Sequence, residues 1–484
     1  MKLSEIIEGL EVVEATAGPD MEIAGLCYDS RRARPGSLFV AITGFESDGH
    51  RFIGSAAEKG ACAVICEKKP ECGIPYVLVH DSRLALAIAS RNYFGKADRE
   101  MTMLAVTGTN GKTTSTFLIK HVLEQCLGAR VGLIGTTCNM IGEREIPTER
   151  TTPESYELHE LLREMSDAGC THVVMEVSSH SLVLHRVAGL RFRFGIFTNL
   201  TQDHLDFHGN MEEYARAKSL LFSQTELAVI NYDDEWAGFM RERAQCPVVT
   251  FSERSNAADF VAKDIRLMPD SVRFCAVTIG SIARVSLGIP GRFSVYNALG
   301  VIAACTSLGI ALEDCCEAIS TARGVPGRME PVPTDGDYTI IIDYAHTPDA
   351  LENVLRTVRE TSRGRVVALF GCGGDRDSTK RPVMGDIGTS LSDFAIITSD
   401  NPRTEDPEKI IDDIVSGIKA PKSRYKRICD RTAAIEWAID HHRPGDVIVL
   451  AGKGHETYQE INHVKHHMDE REIVAHVLEK RKNK

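Results

Sequence analysis

The segment from Thr107 to Thr114 constrains the fold of this chain more than any other. It reads Thr-Gly-Thr-Asn-Gly-Lys-Thr-Thr, with an apolar stretch before it at residues 103–106 and a helix-like stretch after it at residues 115–126. A strand, a glycine loop and a helix in this order direct backbone N–H groups at a phosphate, while a lysine adds charge and a threonine hydroxyl can bind Mg²⁺. The segment therefore predicts a nucleotide-binding loop between a strand and a helix.

The loop is a compact variant, because Val106 occupies the position where the general phosphate-loop pattern has its first glycine. A chance Gly-Lys-Thr in a surface loop is the alternative, and the flanking strand and helix disfavour it. An ATP-using enzyme is therefore the working hypothesis. Its predicted ATP contacts in this loop are Gly108, Thr109, Asn110, Gly111, Lys112, Thr113 and Thr114.

Length, charge and cysteine usage exclude several classes of protein. A chain of 484 residues is long enough for about three domains. A net charge of −12 argues against nucleic-acid or membrane-surface partners, and no uninterrupted apolar stretch is long enough to span a bilayer. The N-terminus carries acids among its apolar residues, unlike a signal peptide. The 14 cysteines are scattered without a Cys-x-x-Cys pair, which is typical of reduced thiols in a cytoplasmic enzyme.

Two segments have the composition of domain boundaries. Residues 96–100 are a short charged stretch, and residues 324–328 form the densest Pro/Gly segment of the chain. They predict three domains, over residues 1–98, 99–325 and 326–484.

Apolar strands alternate with helical segments in all three domains, which predicts α/β folds with mainly parallel sheets. The central domain is expected to be P-loop ATPase-like and the C-terminal domain Rossmann-like. Thr152 is predicted to be a helix N-cap and Pro153 a first-turn proline, before a helix with one apolar face over residues 158–165. The predicted strands are residues 37–42, 61–66, 76–80, 103–106, 131–134, 173–177, 194–198, 227–231, 339–342, 366–370, 395–398 and 447–450, and the first domain adds helices at 50–59 and 82–94.

Polar residues just past the strands are the candidate site residues, because ligands of parallel sheets bind beyond the carboxyl ends of the strands. Glu176 lies inside an otherwise apolar strand, where an unpaired carboxylate is costly to bury. Either a Mg²⁺ ion or a salt bridge to a distant arginine would offset that cost. Residues 199–209, which include Asp203 and His204, suit either a polar site or a hydrogen-bonded turn.

Asp400 and Arg403 follow another strand and could hold the two ends of a zwitterion. The carboxylate would take an ammonium group and the guanidinium a carboxylate. A surface ion pair in a proline turn is the alternative. Glycine-rich residues 371–377 and 452–456 follow two other strands of the same domain, so three polar loops indicate a pocket.

Five motifs together resemble one family, the Mur ligases, which are ATP-dependent amide-forming enzymes of peptidoglycan synthesis. The motifs occur in family order over almost the whole chain, at residues 107–114, 176–180, 203–209, 343–346 and 452–456. Residues 28–31 resemble the UDP-binding segment of the tripeptide-forming members. Residues 400–403 are similar to the members that add meso-diaminopimelate.

The resemblance implies three domains that bind, in order, the UDP end of the substrate, ATP and the incoming amino acid. It implies ligation of meso-diaminopimelate to UDP-N-acetylmuramoyl-L-alanyl-D-glutamate through an acyl phosphate, formed when the D-glutamate carboxylate attacks the γ-phosphate of ATP. Such an enzyme serves cell-wall biogenesis, and through it cell shape, cell division and the cell cycle. A cytoplasmic monomer with neither nucleic-acid nor membrane partners is expected.

The resemblance also implies roles for individual residues. Lys218 matches the family's carbamylated lysine, in which CO₂ supplies a carboxylate for a second Mg²⁺, although the composition of its helix alone would make it an exposed lysine. The implied catalytic residues are Lys112, Glu176, His204 and Lys218, and the implied Mg²⁺ ligands are Thr113, Glu176, His204 and the carbamylated Lys218. The implied contacts to the UDP-substrate are Ser30, Asn110, Thr151, Thr152, Ser178 and Arg186. Further ATP contacts are Asn297, Arg328, Asp343 and His346, and the diaminopimelate contacts are Arg376, Asp400, Asn401, Pro402, Arg403, Gly452 and Glu456.

Three alternatives remain: a lysine-adding tripeptide ligase, an enzyme similar to folylpolyglutamate synthetase, and a nucleotide-binding regulator that kept the fold without the chemistry. Ser30 and Arg403 speak against the first two, and the intact catalytic residues speak against the third. Phe45 and Glu46 depart from the His-Gln with which some Mur ligases contact uracil.

Overall fold

The computed structural model describes residues 1–44, 47–148, 150–322, 324–419, 421 and 424–482, with Asp206 described by its backbone alone. Phe45 and Glu46, the positions of the uracil prediction, lie outside these ranges. The chain divides into two compact units. The first comprises Met1–Asp259 and Gly300–Ile310, and the second Phe260–Leu299 and Ala311–Lys484.

The N-terminal part of the first unit is built on a sheet with the strand order β1-β5-β4-β3-β2, in which only β1 is antiparallel to its neighbour. Its strands are β1 (Val12–Ala15), β2 (Gly25–Cys27), β3 (Ser37–Val40), β4 (Ala63–Cys66) and β5 (Tyr76–Val79), and its helices are α1 (Leu3–Ile6), α2 (Ile53–Glu58) and α3 (Ser82–Tyr93). The central strands β3 and β4 are buried along their whole length, as expected for strands covered on both faces. The helix predicted over residues 50–59 begins as a 3₁₀ turn, Gly49–Phe52, before α2.

The rest of the first unit is a second sheet with its own helices, and the phosphate loop belongs to this part. Its strands are β6 (Thr102–Thr107), β7 (Val131–Ile134), β8 (Asn139–Ile141), β9 (Arg144–Ile146), β10 (His172–Glu176), β11 (Phe194–Phe197), β12 (Ala228–Asn231) and β13 (Val248–Ser252). Its helices are α4 (Lys112–Leu127), α5 (Ser155–Asp167), α6 (Ser179–Val183), α7 (Leu205–His208), α8 (Met211–Ser219) and α9 (Ala237–Arg243).

Strand β6 lies between β10 and β11, in the order β13-β12-β11-β6-β10-β7-β8-β9. All neighbours from β13 to β7 run parallel, and β8 and β9 add an antiparallel edge. The register pairs Glu176 with Val106 on one side of β6 and Phe197 with Thr107 on the other. The segments that follow β10 and β11 therefore flank the phosphate loop.

The predicted start of helix α5 was wrong. The helix begins at Ser155, and its N-cap is Glu154, whose side chain accepts a hydrogen bond from the Ser155 N–H. The hydroxyl of Thr152 instead donates to the Glu176 carbonyl at 2.8 Å and accepts from the Ser178 N–H at 3.2 Å, so a tertiary contact takes the group that would have capped the helix. The predicted apolar face is confirmed, because its members are all buried: Leu158, Leu161, Leu162 and Met165.

The second unit contains an antiparallel meander and a six-stranded sheet with the order β17-β18-β22-β19-β20-β21, parallel except for β17. The strands are β14 (Phe260–Leu267), β15 (Val272–Thr278), β16 (Ser281–Leu287), β17 (Glu330–Val332), β18 (Tyr338–Asp343), β19 (Val366–Phe370), β20 (Phe394–Ile397), β21 (Tyr425–Arg427), β22 (Asp446–Ala451), β23 (Tyr458–Ile461) and β24 (Val464–His467). The helices are α10 (Arg292–Ser307), whose residues from Gly300 belong to the first unit, α11 (Leu312–Thr321), α12 (Pro348–Thr361), α13 (Lys380–Leu391), α14 (Pro407–Ser416), α15 (Arg431–Asp440) and α16 (Glu470–Lys482).

The observed sheets confirm an α/β fold with mainly parallel strands. Within the described ranges, none of the helices has both the length and the apolar character needed to cross a bilayer, and no disulfide joins the cysteines.

Candidate active site

The phosphate loop connects β6 to α4 in a conformation that requires glycine. Gly108 has a φ of +149°, and a Cβ built there would overlap the hydroxyl of Thr198. The Thr109 N–H donates to the Asn199 carbonyl at 2.9 Å, and the Asn110 N–H donates to Asn199 Oδ1 at 2.9 Å. Asn199, which follows β11, therefore fixes two main-chain N–H groups of the loop, one through its carbonyl and one through its side chain.

We expect Gly108→Ala to weaken ATP binding at least tenfold, because the added methyl group must displace Thr198 and distort the loop. Calorimetric titration with an ATP analogue measures the effect. Gly54→Ala is the matched control, since a Cβ there meets nothing within 4 Å. An unchanged affinity of the Gly108 variant would show that the loop does not bind phosphate.

Two lysines converge on the carbonyl of Gly108. Lys112 Nζ donates to the Gly108 and Thr109 carbonyls, at 2.9 Å each. Lys218 Nζ donates to the Gly108 carbonyl at 2.9 Å and lies 4.5 Å from the centre of the Tyr214 ring. Lys218 is only 1% exposed, so the prediction from helix composition alone was wrong. Burial, with a contribution from the Lys112 charge, holds the pKa of the Lys218 amine well below its usual value.

The carboxylate of Glu176 is fully buried at the end of β10. Its Oε1 accepts from the Thr136 N–H and its Oε2 from the Thr136 hydroxyl, both at 2.9 Å. The Thr136 hydroxyl lies 3.0 Å from that of Thr151. The two donors of Thr136 therefore orient Glu176 beside the phosphate loop, in place of the salt bridge to a distant arginine that was the alternative.

Several residues predicted to bind the UDP-substrate lie around this carboxylate. Thr152 joins the end of β10 to Ser178 through the bonds described above, and Arg186 Nη1 donates to the Thr152 carbonyl at 3.2 Å. Arg186 Nε also donates to Glu154 Oε2 at 3.2 Å. Thr151, Thr152, Ser178 and Arg186 thus belong to one network around Glu176.

Ser30 is not part of that network. It lies in a 3₁₀ turn, Ser30–Arg32, and its carbonyl accepts from Lys59 Nζ at 3.2 Å. A cavity of about 530 Å³ is found in the same unit. Tyr28 and Arg150 are among its lining residues, but Ser30 is not.

His204 is the N-cap of the short helix α7 and has a left-handed backbone conformation, with a φ of +52°. Its ring lies edge-on to the ring of His180, with centroids 4.9 Å apart, and its Nε2 is 3.4 Å from Asp203 Oδ2. Among the described side chains there is no group of three or more His, Cys, Asp or Glu that could hold a metal. Mg²⁺ commonly binds one or two carboxylates and takes its other ligands from phosphates and water, so the Glu176 carboxylate and the Thr113 hydroxyl are ligand types that such an ion would use.

The second unit contains four predicted ATP contacts. Arg328, Asp343 and His346 lie around the end of β18, and Asn297 lies on α10. The Asp343 carboxylate accepts from the Met329 N–H at 2.7 Å and the Ala345 N–H at 2.8 Å, and burial raises its pKa. The Arg328 guanidinium lies 5.4 Å from the Tyr344 ring. His346 Nδ1 is 2.8 Å from the Tyr344 carbonyl. In these predicted ATP contacts, two buried nitrogens have no hydrogen-bond partner among the described residues, Arg328 Nε and Asn297 Nδ2.

The loop after β20 carries a buried polar cluster. Lys453 Nζ donates to Asn401 Oδ1 at 2.8 Å and to Glu456 Oε2 at 2.6 Å, and Asn401 Nδ2 donates to the same Glu456 oxygen at 2.9 Å. Asp400 is 7% exposed, and its Oδ2 is buried with no hydrogen-bond partner among the described residues. A Cβ at Gly452, where φ is +119°, would lie 2.5 Å from that oxygen. The alternative, in which Asp400 and Arg403 form a surface ion pair in a proline turn, is therefore wrong. Asp400 instead has a carboxylate oxygen that can still accept a hydrogen bond.

Arg403 lies in the same loop, in a left-handed conformation with a φ of +49°. Its Nε donates to Glu460 Oε2 at 3.1 Å, and its Nη1 donates to the Gly374 carbonyl at 2.7 Å. A Cβ at Gly374 would overlap the Pro402 carbonyl, so the loops after β19 and β20 are in direct contact. Arg376 is exposed on the loop after β19.

The sequence analysis missed three residues of these clusters. Thr136 follows the end of β7, so the rule that found Glu176 could have found it. Lys453 lies inside a glycine motif that was identified, but its role depends on its burial. Glu460 lies in β23, where no sequence signal marked it.

Comparison with known proteins covers nearly the whole chain. Residues 22–102 match the catalytic domain of the Mur ligase family, residues 106–305 the Mur ligase middle domain, and residues 327–454 the glutamate ligase domain of Mur ligases. The chain belongs to the Mur ligase family. Members of this family are ATP-dependent amide-forming ligases, so the chain is an enzyme rather than the nucleotide-binding regulator of the alternative.

Relatives similar to this Mur ligase extend over its full length. The UDP-N-acetylmuramoyl-L-alanyl-D-glutamate–2,6-diaminopimelate ligase of Clostridium tetani is 46% identical over 486 residues, which cover 99% of each chain. The enzyme of that name from Clostridioides difficile is 45% identical over 485 residues, covering 99% of this chain and 100% of its own. A solved structure of a ligase with the same name superposes with a TM-score of 0.77 at 34% identity, covering 100% of this chain and 99% of its own.

More distant structures share the fold alone. The MurF ligase of Thermotoga maritima in complex with ADP has a TM-score of 0.60 at 20% identity, covering 96% of this chain and 100% of its own. A folylpolyglutamate synthase of Mycobacterium tuberculosis, complexed with ADP and AMPPCP, has a TM-score of 0.59 at 17% identity and covers 76% of this chain and 92% of its own. The comparisons therefore favour the Mur ligases over the folylpolyglutamate alternative.

Proposed function

We propose that this Mur ligase adds meso-diaminopimelate to UDP-N-acetylmuramoyl-L-alanyl-D-glutamate, with ATP converted to ADP and phosphate. The observation that carries the substrate assignment is the polar cluster in the loop after β20. The loop carries a buried carboxylate with an unused oxygen, at Asp400, and an oriented guanidinium, at Arg403. An amino acid whose distal end bears both an ammonium and a carboxylate fits these two groups.

We assign the three substrates to three segments of the chain. Residues 1–98 would bind the UDP end of the substrate, residues 99–325 would bind ATP, and residues 326–484 would bind the amino acid. ATP and a nucleotide sugar are substrates found in the cytoplasm, so we expect the enzyme to act there, as a monomer.

The first step joins the D-glutamate carboxylate to the γ-phosphorus of ATP, while the bond to the β-phosphate oxygen breaks and ADP leaves. Lys112 would move its ammonium from the Gly108 and Thr109 carbonyls to the transferred phosphoryl group, where negative charge must be stabilised. Mg²⁺, when bound through Glu176, Thr113 and His204, would supply further positive charge at the phosphates. Thr136 would keep Glu176 in its orientation.

Lys218 would act as a carbamate. Burial lowers its pKa well below the ordinary value, which favours the neutral amine, the form that combines with CO₂ and releases a proton. The resulting carboxylate would add a negative charge beside the phosphate loop, at the position from which Nζ now contacts the Gly108 carbonyl. That charge suits a second Mg²⁺.

The network around Glu176 would bind the muramoyl dipeptide. Thr151 contacts the Thr136 hydroxyl that orients Glu176, so a substrate contact of Thr151 would lie two hydrogen bonds from the carboxylate. Ser178, Arg186 and Asn110 would add polar contacts, and Ser30 would contact the UDP end. Asn297, Arg328, Asp343 and His346 would serve adenine, phosphate and ribose.

In the second step the amine of diaminopimelate attacks the acyl carbon, and phosphate leaves the tetrahedral intermediate. The pocket after β20 would hold the far end of the amino acid. Asp400 and Glu456 would take the distal ammonium, Arg403 would take the distal carboxylate with help from Asn401 and Arg376, and Pro402 and Gly452 would shape the wall.

We expect Arg403→Ala to raise the KM for meso-diaminopimelate on the order of 10²-fold, because the substrate carboxylate would lose a charged partner in a partly buried site. The preference over L-lysine should fall by a similar factor, since lysine lacks that carboxylate. Phosphate release at varied amino-acid concentration measures both. Arg356→Ala, which removes an exposed arginine paired with Glu352, should change neither quantity. A normal KM in the Arg403 variant would refute the pocket assignment.

A further inference from the structure

The guanidinium of Arg403 is held from two sides, and one of them is the side chain of Glu460. Glu460 Oε2 accepts from Arg403 Nε at 3.1 Å, and the Gly374 carbonyl accepts from Nη1 at 2.7 Å. Both side chains of the ion pair are about four-fifths buried, at 20% and 21% exposure. The pair is therefore sheltered enough for its geometry to persist, unlike a fully solvated surface pair.

Among the described residues, the Arg403 guanidinium makes these two hydrogen bonds and keeps its other donors available. Arginine carries five N–H donors in a planar fork. The Nε donor is used by Glu460 and one Nη1 donor by Gly374, so three donors remain for a carboxylate, one on Nη1 and two on Nη2. Glu460 thus determines which edge of the fork faces outward.

Hydrogen bonds of the main chain at Glu460 and Asn462 hold the same loop independently of the Glu460 side chain. The Arg403 N–H donates to the Glu460 carbonyl at 3.0 Å, the Asn462 N–H donates to the Arg403 carbonyl at 2.8 Å, and the Glu460 N–H donates to Asn401 Oδ1 at 2.9 Å. An alanine at position 460 would retain all three bonds. The carboxylate can therefore be removed while the backbone contacts that hold Arg403 in its left-handed conformation stay in place.

We propose that Glu460 is a positioning residue for the amino-acid substrate: it fixes the Arg403 guanidinium so that its outer edge meets the distal carboxylate. This inference rests on the proposed function, in which Arg403 binds that carboxylate. Without the Glu460 acceptor, Arg403 has to give up side-chain conformational freedom each time a substrate binds, and affinity falls.

The test compares Glu460→Ala and Glu460→Gln with the unaltered enzyme in a phosphate-release assay with meso-diaminopimelate. Glutamine keeps an oxygen that accepts from Nε but removes the charge. Glu472→Ala is the matched control, since this carboxylate is 65% exposed and pairs with His467. KM and kcat are determined for diaminopimelate, for ATP and for L-lysine.

We expect Glu460→Ala to raise the KM for diaminopimelate about tenfold or more, the range for a charge-assisted hydrogen bond. The kcat and the KM for ATP should stay within about twofold, the preference over lysine should fall, and Glu460→Gln should recover most of the lost affinity. An unchanged or lower KM in the alanine variant, a glutamine variant as impaired as alanine, or a parallel rise in the KM for ATP would each overturn the inference. If the unaltered enzyme does not use diaminopimelate, the proposed function itself fails, which is a separate result.

Discussion

Replacing Lys112 by alanine is expected to reduce ATP-dependent turnover on the order of 10³-fold while leaving binding of the UDP-substrate nearly intact. The lysine ammonium contacts two carbonyls of the phosphate loop, so it lies where a γ-phosphate would compete for it. Its charge matters most while the phosphoryl group moves, because that is when negative charge shifts toward the leaving oxygen. The loss is measured as the rate at which the acyl phosphate forms, with the intermediate trapped so that its amount can be determined.

The control for this variant is Lys69→Ala, which removes an exposed lysine paired with Glu14. Calorimetry with the UDP-substrate should give similar affinities for the unaltered enzyme and both variants. Loss of UDP-substrate binding in the Lys112 variant would contradict the separation of the two sites. Near-normal turnover would contradict the role of the loop.

Replacing Lys218 by alanine is expected to remove nearly all turnover, with partial recovery when short carboxylic acids such as acetate are added. The added acid would supply the carboxylate that the carbamate normally provides, in the space that the side chain vacates. Isotope-labelled bicarbonate should give a carbamate resonance in the unaltered enzyme and none in the variant. The carbamate needs the neutral amine, so at fixed dissolved CO₂ its population should fall as pH drops through the lowered pKa of Lys218.

Lys218→Arg provides the second arm of this experiment. Arginine keeps a positive charge and a long side chain but is not expected to form the carbamate. It should therefore be inactive and should not respond to acetate, because its side chain still fills the space. Full activity of the alanine variant without added acid, or of the arginine variant, would reject the carbamate.

The buried central strands of the sheets could be predicted because fully buried parallel strands are short apolar runs between polar segments. The strands outside these centres were not predicted: β1, β2, β8, β9, β13, β17, β21, β23 and β24. The strand at Val131–Ile134 coincides with its prediction, and β6 and β10 differ from theirs by a residue at the ends. The meander of β14, β15 and β16 was missed. In strand β16 the exposed polar residues Arg284 and Ser286 interrupt the apolar run, so the strand lacks the signal of a fully buried strand.

The candidate site was partly predictable for the same reason, since Glu176 and Asp400 stand at the carboxyl ends of strands. The burial of Lys218 was not predictable from local pattern, because it depends on how α8 packs against the phosphate loop. Thr152 failed as a helix cap for a similar reason, since its hydroxyl is used by β10. Long-range contacts decide both cases, and short sequence windows do not contain them.

The central claim is the identity of the amino acid that the enzyme adds. The most direct measurement gives the purified enzyme ATP and UDP-N-acetylmuramoyl-L-alanyl-D-glutamate, and compares kcat/KM for meso-diaminopimelate and L-lysine by phosphate release and mass analysis of the product. A site built to bind a carboxylate rejects an analogue without it on the order of 10⁴-fold, so diaminopimelate should be preferred by about that factor. Equal efficiency with the two amino acids, or ligation of lysine alone, would contradict the account.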